Sequence, residues 1–391
     1  MKYHKKRDMV MEKSLWEQFG NIKYNGKTNV SYYNIEIQRN ELFQQDANSK
    51  CTDFVKEHFK AGQKNEAIVA IFRTEEIEKD YYESERPVHT VSLYLLGLSL
   101  NAAFDDALRE YLDKNLCGEF KKWYDFRYTW YLTCLYHDLA FCEEKVQHES
   151  NLQKRIFDYR LQKGKKFVTH YNKDILDKYW AMRNCDHGIE AGHILFDELY
   201  KVYAEKFNLE NNSEQNEIKT ENNIVWRKEH LGHFAYIADA IISHNIWLVK
   251  DAPENEAEIR KYREAGLEEL IISGEEDRLF FEDAPLLFML CLLDTIEPTK
   301  RFKRTPEYIM ENISIIYAKE EEKFIIKWEQ KLNSEDEIVK WKNNITSLTD
   351  WMAVTVKECM SKNDKNEITL SILKHVPQKK DNRNIAASNK N

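Results

Sequence analysis

A histidine–aspartate pair lies at the end of an apolar stretch of this sequence and limits the folds that the chain can adopt. His137 and Asp138 follow the run 130–136, whose residues predict a helix. An imidazole and a carboxylate buried side by side are costly unless another group compensates them. A divalent metal ion between helices compensates both, because helix neighbours about 100° apart can lean onto one ion. The pair therefore predicts a metal site within a helical protein if other helices supply further ligands.

Further histidine and aspartate residues recur at the ends or centres of successive apolar stretches. They lie about 50 residues apart, so that each belongs to a different helix or helix end, as a metal site in a bundle core requires. Nitrogen and oxygen donors without a thiolate suit Mn, Fe, Mg or Zn. Six ligands exceed the needs of one tetrahedral ion and predict two ions, about 3.5–4 Å apart, bridged by a carboxylate. The predicted metal ligands are His89, His137, Asp138, His187, His244 and Asp294.

The composition favours a mainly α-helical fold. Gly and Pro are scarce, with 11 and 6 in 391 residues, which fits long helices with few tight turns. The hydrophobic fraction of 42% is sufficient for a large core. We predict a helical bundle over residues 80–304, preceded by an N-terminal extension over 1–79. The polar residues 377–391 predict a disordered tail.

A small α+β appendage is predicted over residues 305–376, with the order β-β-α-β. The β-branched and aromatic stretches 313–317 and 324–328 predict a hairpin. Residues 335–360 have a helical pattern, and 367–372 predict the third strand.

Charge and cysteine content restrict the possible partners and the compartment. The net charge of -9 argues against a broad basic surface for binding duplex nucleic acid. The basic cluster 300–304 is still compatible with a local contact to nucleic acid. Seven cysteines without a Cys-x-x-Cys pair indicate reduced thiols. The basic start 1–7 is not followed by an apolar segment, and the longest apolar stretch, 284–293, is too short for a bilayer. We therefore expect a soluble cytoplasmic protein with no membrane contact.

The order of the predicted ligands resembles the HD-domain superfamily of metal-dependent phosphohydrolases. The pattern His…His-Asp…His…His…Asp carries the resemblance over about residues 80–302, with local stretches such as His89–Gly97 and Leu293–Pro298. The resemblance implies an HD-domain-like helical bundle. It also implies that His187 and His244 are the extra ligands of the binuclear branch and that the other four ligands form the core metal site. The chain lacks the Gly-Tyr-Pro signature and the lysine of the cyclic-di-GMP branch.

The resemblance implies hydrolysis of a phosphoester, with a nucleotide as the expected substrate. Metal ions lower the pKa of bound water towards neutral, so a metal-bound hydroxide is the expected nucleophile. Asp138 is expected to position and bridge the ions, and Glu143 or Glu144 to protonate the leaving oxygen. Because guanidinium matches phosphate in geometry, the predicted substrate contacts are Arg86, Arg183 and Arg301, the last beside Lys300.

Three other functions fit the same residues. The same metal centre also suits a nuclease or a cyclic-nucleotide phosphodiesterase, which a substrate panel distinguishes. A non-hydrolytic sensor would bind a nucleotide without turnover, and the appendage would report the binding. A minority of HD-domain proteins perform oxygen chemistry at a di-iron centre, which iron-dependent oxygen uptake would reveal.

Overall fold

A computed structural model gives the fold of the chain. It describes residues 13–20, 49–56, 75–115, 126–145, 173–183, 186–207, 217–219, 225–227, 230–249, 255–329, 332, 335–360 and 366–374. Within these residues the chain is mainly α-helical with a small sheet region, which confirms the fold class at that level. The HD-domain-like arrangement stays a prediction, and the predicted tail 377–391 lies outside the described residues. None of the described helices is long and apolar enough to cross a lipid bilayer.

Helices form the body of the protein. In chain order they are α1 (Leu15–Gly20), α2 (Glu75–Glu83), α3 (Arg86–Ser99), α4 (Asp105–Asn115), α5 (Phe126–Tyr136), α6 (Lys173–Arg183), α7 (His187–Phe207), α8 (His230–Ser243), α9 (Glu256–Glu264), α10 (Pro285–Ile296), α11 (Pro306–Asn312) and α12 (Glu335–Trp351). Residues 49–56 are also helical. Short 3-10 segments cover Asn101–Ala103, Leu139–Lys145, Glu268–Leu270, Glu275–Asp277 and Lys319–Glu321.

The helices α3 and α10 lie in the centre of the core because they are apolar on every side. Every side chain of α3 from Pro87 to Leu98 is buried. Helix α10 begins at Pro285, where the missing N–H of proline is tolerated, and its leucine-rich run is buried. Polar side chains on these two helices are therefore carried into the protein interior.

A glycine allows α3 to approach α5 closely. A Cβ added at Gly97 would lie 2.0 Å from Nε1 of Trp130, so a larger residue does not fit there. The indole N–H of Trp130 donates to the carbonyl oxygens of Leu93 (3.3 Å) and Tyr94 (3.2 Å). This contact fixes α3 against the helix that leads to His137.

A second glycine brings α7 against α8. A Cβ added at Gly192 would lie 2.6 Å from the carbonyl oxygen of Ala238 and 2.6 Å from Cγ1 of Ile242. Because the first of these atoms belongs to the backbone, it cannot turn aside as a flexible side chain can. The close approach places the start of α7, at His187, beside the end of α8, which precedes His244.

In the described part of the chain, the strands form three small sheets. Strands β1 (Glu217–Lys219) and β2 (Val225–Arg227) pair antiparallel, and β3 (Leu248–Val249) and β4 (Ile271–Ile272) pair parallel. Near the C-terminal end, β5 (Ile313–Ala318), β6 (Lys323–Trp328), β7 (Val354–Met360) and β8 (Asn366–Ile372) form an antiparallel sheet in the order β5-β6-β8-β7.

The predicted β-β-α-β order is one strand short. Strands β5 and β6 correspond to the predicted hairpin, but the helix predicted over 335–360 ends at Trp351 and is followed by β7. Val354, Thr355 and Val356 are β-branched, and such residues favour a strand over a helix. The added strand, β7, pairs with β8 along its whole length, so β8 has a paired strand on each side.

The appendage and the bundle share one hydrophobic core. The core cluster of buried side chains continues from α1 through the bundle to the four-stranded sheet. For example, the ring of Phe104 stacks on the ring of Phe324 from β6, with centroids 5.6 Å apart. The predicted boundary after residue 304 therefore lies within a continuous packing unit, and the division into domains stays a prediction.

Candidate metal centre

Three elements bring four of the predicted ligands together. His89 lies in the first turn of α3, and Asp294 lies in the last turn of α10. His137 and Asp138 lie in the turn that follows α5. The sequence predicts them instead as neighbours on the helix itself. One donor atom from each residue lies within 4.8 Å of the others. We call these four residues the first donor group.

The separations within the first donor group fit one divalent ion. Nε2 of His89 lies 3.2 Å from Nε2 of His137 and 2.8 Å from Oδ1 of Asp294. Nε2 of His137 lies 3.5 Å from Oδ2 of Asp138 and 3.6 Å from Oδ1 of Asp294. An ion about 2.1 Å from each donor places neighbouring donors about 3.0 Å apart in an octahedron and about 3.4 Å apart in a tetrahedron. The observed distances span these values.

A second donor group shares one residue with the first. It consists of Asp138, His187 and His244, whose donor atoms also lie within 4.8 Å of one another. Oδ1 of Asp138 lies 3.5 Å from Nε2 of His187, whereas Oδ2 faces His137 of the first group. The rings of His187 and His244 meet edge to face with centroids 5.3 Å apart. The two oxygens of one carboxylate therefore serve different groups, and these buried groups can hold a metal ion.

Backbone carbonyls at helix ends orient two of the imidazoles. Nδ1 of His137 donates to the carbonyl of Cys134 at 2.8 Å, and Nδ1 of His244 donates to the carbonyl of Ile241 at 2.6 Å. The last carbonyls of a helix have no partner within the helix, so they are free to accept these bonds. With the proton assigned to Nδ1, each Nε2 keeps its lone pair for a metal ion.

A buried carboxylate orients the third imidazole. Nδ1 of His89 lies 2.8 Å from Oε2 of Glu297, and both side chains have no exposed surface. Glu297 also accepts from the hydroxyl of Ser92 and from the backbone N–H of Thr299 at 2.9 Å. Burial alone raises the pKa of Glu297, but these hydrogen bonds, that of His89 foremost, outweigh it and lower the pKa. A carboxylate behind a ligating histidine fixes its ring and tautomer.

Glu297 was not among the residues predicted from the sequence, although a signal was present. Glu297 lies three residues after Asp294, and residues three apart in a helix share a face. Ser92 stands in the same relation to His89, one helical turn further along α3. The two spacings together point to a second layer of polar residues behind the first donor group.

Charges within the centre favour metal binding. Burial raises the pKa of the Asp138 carboxyl, but the interactions with His137 and with the positive charge of Lys300 outweigh it and hold the pKa well below its usual range. The pKa of Asp294 is likewise held well below its usual range, since the charge of Lys300 outweighs the effect of burial. Burial and the neighbouring histidines lower the pKa of His244 to about 3. The centre therefore offers two anionic carboxylates and a neutral imidazole at pH 7.

Three cationic side chains adjoin the donor groups. Arg86 contacts Oδ2 of Asp138, and its guanidinium lies 3.6 Å from the centroid of the Phe141 ring. Lys300 contacts Oδ1 of Asp294, and Arg301 donates from Nη2 to the carbonyl oxygen of Asp294 at 3.3 Å. The side chain of Asp294 is 21% exposed and that of Lys300 12%, so solvent reaches the centre on this side. An anion that approaches the centre meets these cations.

The structure brings together all six predicted metal ligands, but not every other predicted site residue. Arg86 and Arg301 contact residues of the first donor group. Arg183 pairs instead with Glu258 of α9, at 2.7 Å, and 45% of its side chain is exposed. Glu143 and Glu144 belong to the 3-10 segment Leu139–Lys145, but their side chains lie outside the described part, so their role as acids stays a prediction.

Comparison of the chain with protein-family models, curated proteins and solved structures finds no match. The functional assignment therefore depends on the donor groups and their surroundings.

Proposed function

We propose that the protein is a metal-dependent phosphohydrolase of the HD type that holds two divalent ions bridged by Asp138. The observation that carries the proposal is the shared carboxylate: each oxygen of Asp138 faces a different set of histidines. A structural site for one tetrahedral ion needs only four ligands. Two adjacent donor groups of nitrogen and oxygen atoms, with no thiolate, are typical of two-metal hydrolytic sites.

When bound, the ions supply the Lewis acidity that activates water and neutralises charge on a phosphate. The chain supplies the rest. His89 and Asp294 would hold the ion of the first donor group, and His187 and His244 the ion of the second. Glu297 keeps the His89 ring in one orientation, so little reorganisation is needed when an ion and a substrate bind.

The cations beside the donor groups support a phosphate ester as the substrate. Arg86 and Arg301 place guanidinium groups next to the first donor group, and guanidinium pairs with phosphate oxygens in a bidentate manner. The ring of Phe141 packs against one face of the Arg86 guanidinium and restricts its position. A nucleotide is the substrate class that the family resemblance implies, and Mn, Fe, Mg and Zn all suit the donors.

The test is metal-dependent hydrolysis by the purified full-length chain. We expect Mn²⁺ to support turnover of one class within a panel of nucleoside monophosphates, cyclic nucleotides, dinucleotides and single-stranded oligonucleotides. The His137→Ala variant should lose about a thousandfold or more of the rate, since it removes a ligand. His233→Ala is the matched control, because His233 is also buried but bonds to the hydroxyl of Thr129 at 2.7 Å. Metal-dependent turnover that survives His137→Ala would contradict the proposal.

The same panel separates the other functions. Turnover restricted to cyclic nucleotides or oligonucleotides identifies a phosphodiesterase or a nuclease on this centre. Tight nucleotide binding with no turnover under any metal indicates a sensor. Oxygen uptake that requires Fe²⁺ indicates oxygen chemistry instead of hydrolysis.

A further inference from the structure

A lysine side chain lies among the ligand atoms of the first donor group. Nζ of Lys300 contacts Oδ1 of Asp294 and lies 3.2 Å from Nε2 of His89. Only 12% of this side chain is exposed. Lys300 follows α10 in the turn after Pro298, where the N–H of Arg301 bonds to the proline carbonyl at 2.9 Å. The turn holds the lysine stem close to the carboxylate of Asp294.

The ammonium group and a metal ion need the same atoms. The ammonium donates to an oxygen of Asp294 and lies within hydrogen-bonding distance of Nε2 of His89. A metal ion bound by the first donor group would bind the same two atoms. Two cations this close also repel each other, and the repulsion is stronger in a mostly buried site than in water. The ion and the ammonium therefore exclude each other from this position.

The two donor groups differ in the charge of the side chains that contact them. The three nearby cations contact residues of the first group. Lys300 touches Oδ1 of Asp294, Arg86 touches Oδ2 of Asp138, and Arg301 bonds to the backbone carbonyl of Asp294. In the second group, the neutral amide of Asn245 donates to Nε2 of His187 at 2.7 Å. Replacing a neutral amide by an ion involves no repulsion between two full charges.

We propose that Lys300 is an internal counter-cation that competes with metal at the first donor group, so that the second group binds its ion first. Loading of the first group moves the ammonium from between His89 and Asp294 towards the exposed side of the centre. Lys300 is thus a positioning residue that sets the order and strength of metal binding. The inference concerns the same site as the proposed function but does not require hydrolysis.

Calorimetric titration of the metal-free full-length chain with Mn²⁺ tests this competition. We expect two steps for the wild-type chain, and a first-group Kd about tenfold lower in Lys300→Met, equivalent to about 1.4 kcal/mol. A His244→Ala background removes a ligand of the second group, so the remaining step reports the first group. Lys303→Met removes an equal charge from an exposed lysine nearby and should bind Mn²⁺ like the wild type. An unchanged or higher first-group Kd in Lys300→Met overturns the proposal.

A second measurement avoids any loss of folding in the variant. In the wild-type chain, acetic anhydride should acetylate Lys300 several-fold faster with Mn²⁺ bound than without it, as measured by peptide mass spectrometry. The rate at Lys303 should not change and serves as the internal reference. Equal or slower acetylation of Lys300 with Mn²⁺ overturns the proposal.

The outcomes separate this inference from the proposed function. Tighter Mn²⁺ binding by Lys300→Met without phosphoester turnover supports the competition and contradicts hydrolysis. Phosphoester turnover with identical Mn²⁺ affinities in the wild type and the variant supports hydrolysis and contradicts the competition. If the wild type binds one ion and Lys300→Met binds two, the lysine outcompetes the metal, which supports the competition and contradicts the two-ion site in the native chain.

Discussion

Oε2 of Glu297 lies 2.8 Å from Nδ1 of His89, with both side chains fully buried and 208 residues apart in sequence. This bond turns Nε2 of His89 towards His137 and Asp294. An imidazole that is fixed in ring orientation and tautomer binds metal without first losing rotational freedom. We therefore expect Glu297 to contribute to metal affinity, although it belongs to neither donor group.

Replacing Glu297 by glutamine should weaken metal binding. The amide keeps the shape of the side chain but loses the charge that supports the His89 ring, and such changes behind a ligand cost about 10–100-fold in metal affinity. The measurement is the Kd of Mn²⁺ by calorimetry. Ser92→Ala, which removes one hydrogen bond to Glu297 but keeps its charge, should have a smaller effect. Wild-type affinity in Glu297→Gln would show that the carboxylate does not support the ligand.

Loss of the titrating group at His244 should change the pH dependence of stability. The pKa of His244 is lowered from 6.5 to about 3 in the folded chain, so the unfolded chain binds its proton first as the pH falls. Stability from this group is therefore present above pH 6.5 and is lost as the pH falls towards 3. Between pH 7.5 and pH 5 the loss should be about 2 kcal/mol.

Urea unfolding of metal-free protein at these two pH values measures this effect. The wild-type chain should lose about 2 kcal/mol more than His244→Asn on going to the lower pH. The difference between the two chains removes the contribution of other titrating groups, including His89, whose pKa is raised. Equal pH dependence in both chains would contradict a neutral, buried His244.

A methyl group at Gly192 should loosen the contact between α7 and α8. The new Cβ meets the Ala238 carbonyl at 2.6 Å, so the helices must separate, at a cost of about 1–3 kcal/mol. Separation also moves His187 away from His244, so the second donor group should bind Mn²⁺ more weakly. Gly274→Ala is the control, because its Cβ meets only the flexible side chain of Glu276. Thermal unfolding and Mn²⁺ titration measure the two effects, and a stable Gly192→Ala variant with wild-type Mn²⁺ affinity would contradict this packing.

Arg86 adjoins the first donor group and Arg183 does not, so substitutions of these two arginines should affect activity differently. Arg86→Lys keeps the charge but loses the planar group that packs on Phe141 and contacts Asp138. We expect kcat/KM for the phosphoester to fall about tenfold or more. Arg183→Lys should leave kcat/KM unchanged, because Arg183 pairs with Glu258. Equal losses in both variants would contradict the placement of the phosphate beside Arg86.

The sequence was informative about the candidate ligands because polar residues stand out in apolar helices. His89 and Asp294 lie on helices whose other side chains are nearly all buried, so their burial follows from the neighbours. His137 and Asp138 follow a helix of the same kind. The burial of a charged residue requires compensation, and this requirement pointed to a common ion.

The sequence was less informative where a residue's partner is set by tertiary packing. Glu297 and Lys300 both follow the end of α10, and their contact with His89 depends on how α10 packs against α3. The environment of Arg183 depends on α9, which supplies Glu258 from 75 residues away. Strand β7 directly follows α12, and a helical pattern alone did not indicate where the helix ends.

The Mn²⁺ content and the electron paramagnetic resonance spectrum of the chain test whether Asp138 joins two metal ions. We expect two Mn²⁺ per chain with the spectrum of an exchange-coupled pair, as for ions about 3.5–4 Å apart across a carboxylate. In Asp138→Asn the coupling should disappear. A wild-type chain that binds one isolated Mn²⁺, or none, would show that Asp138 does not join two ions.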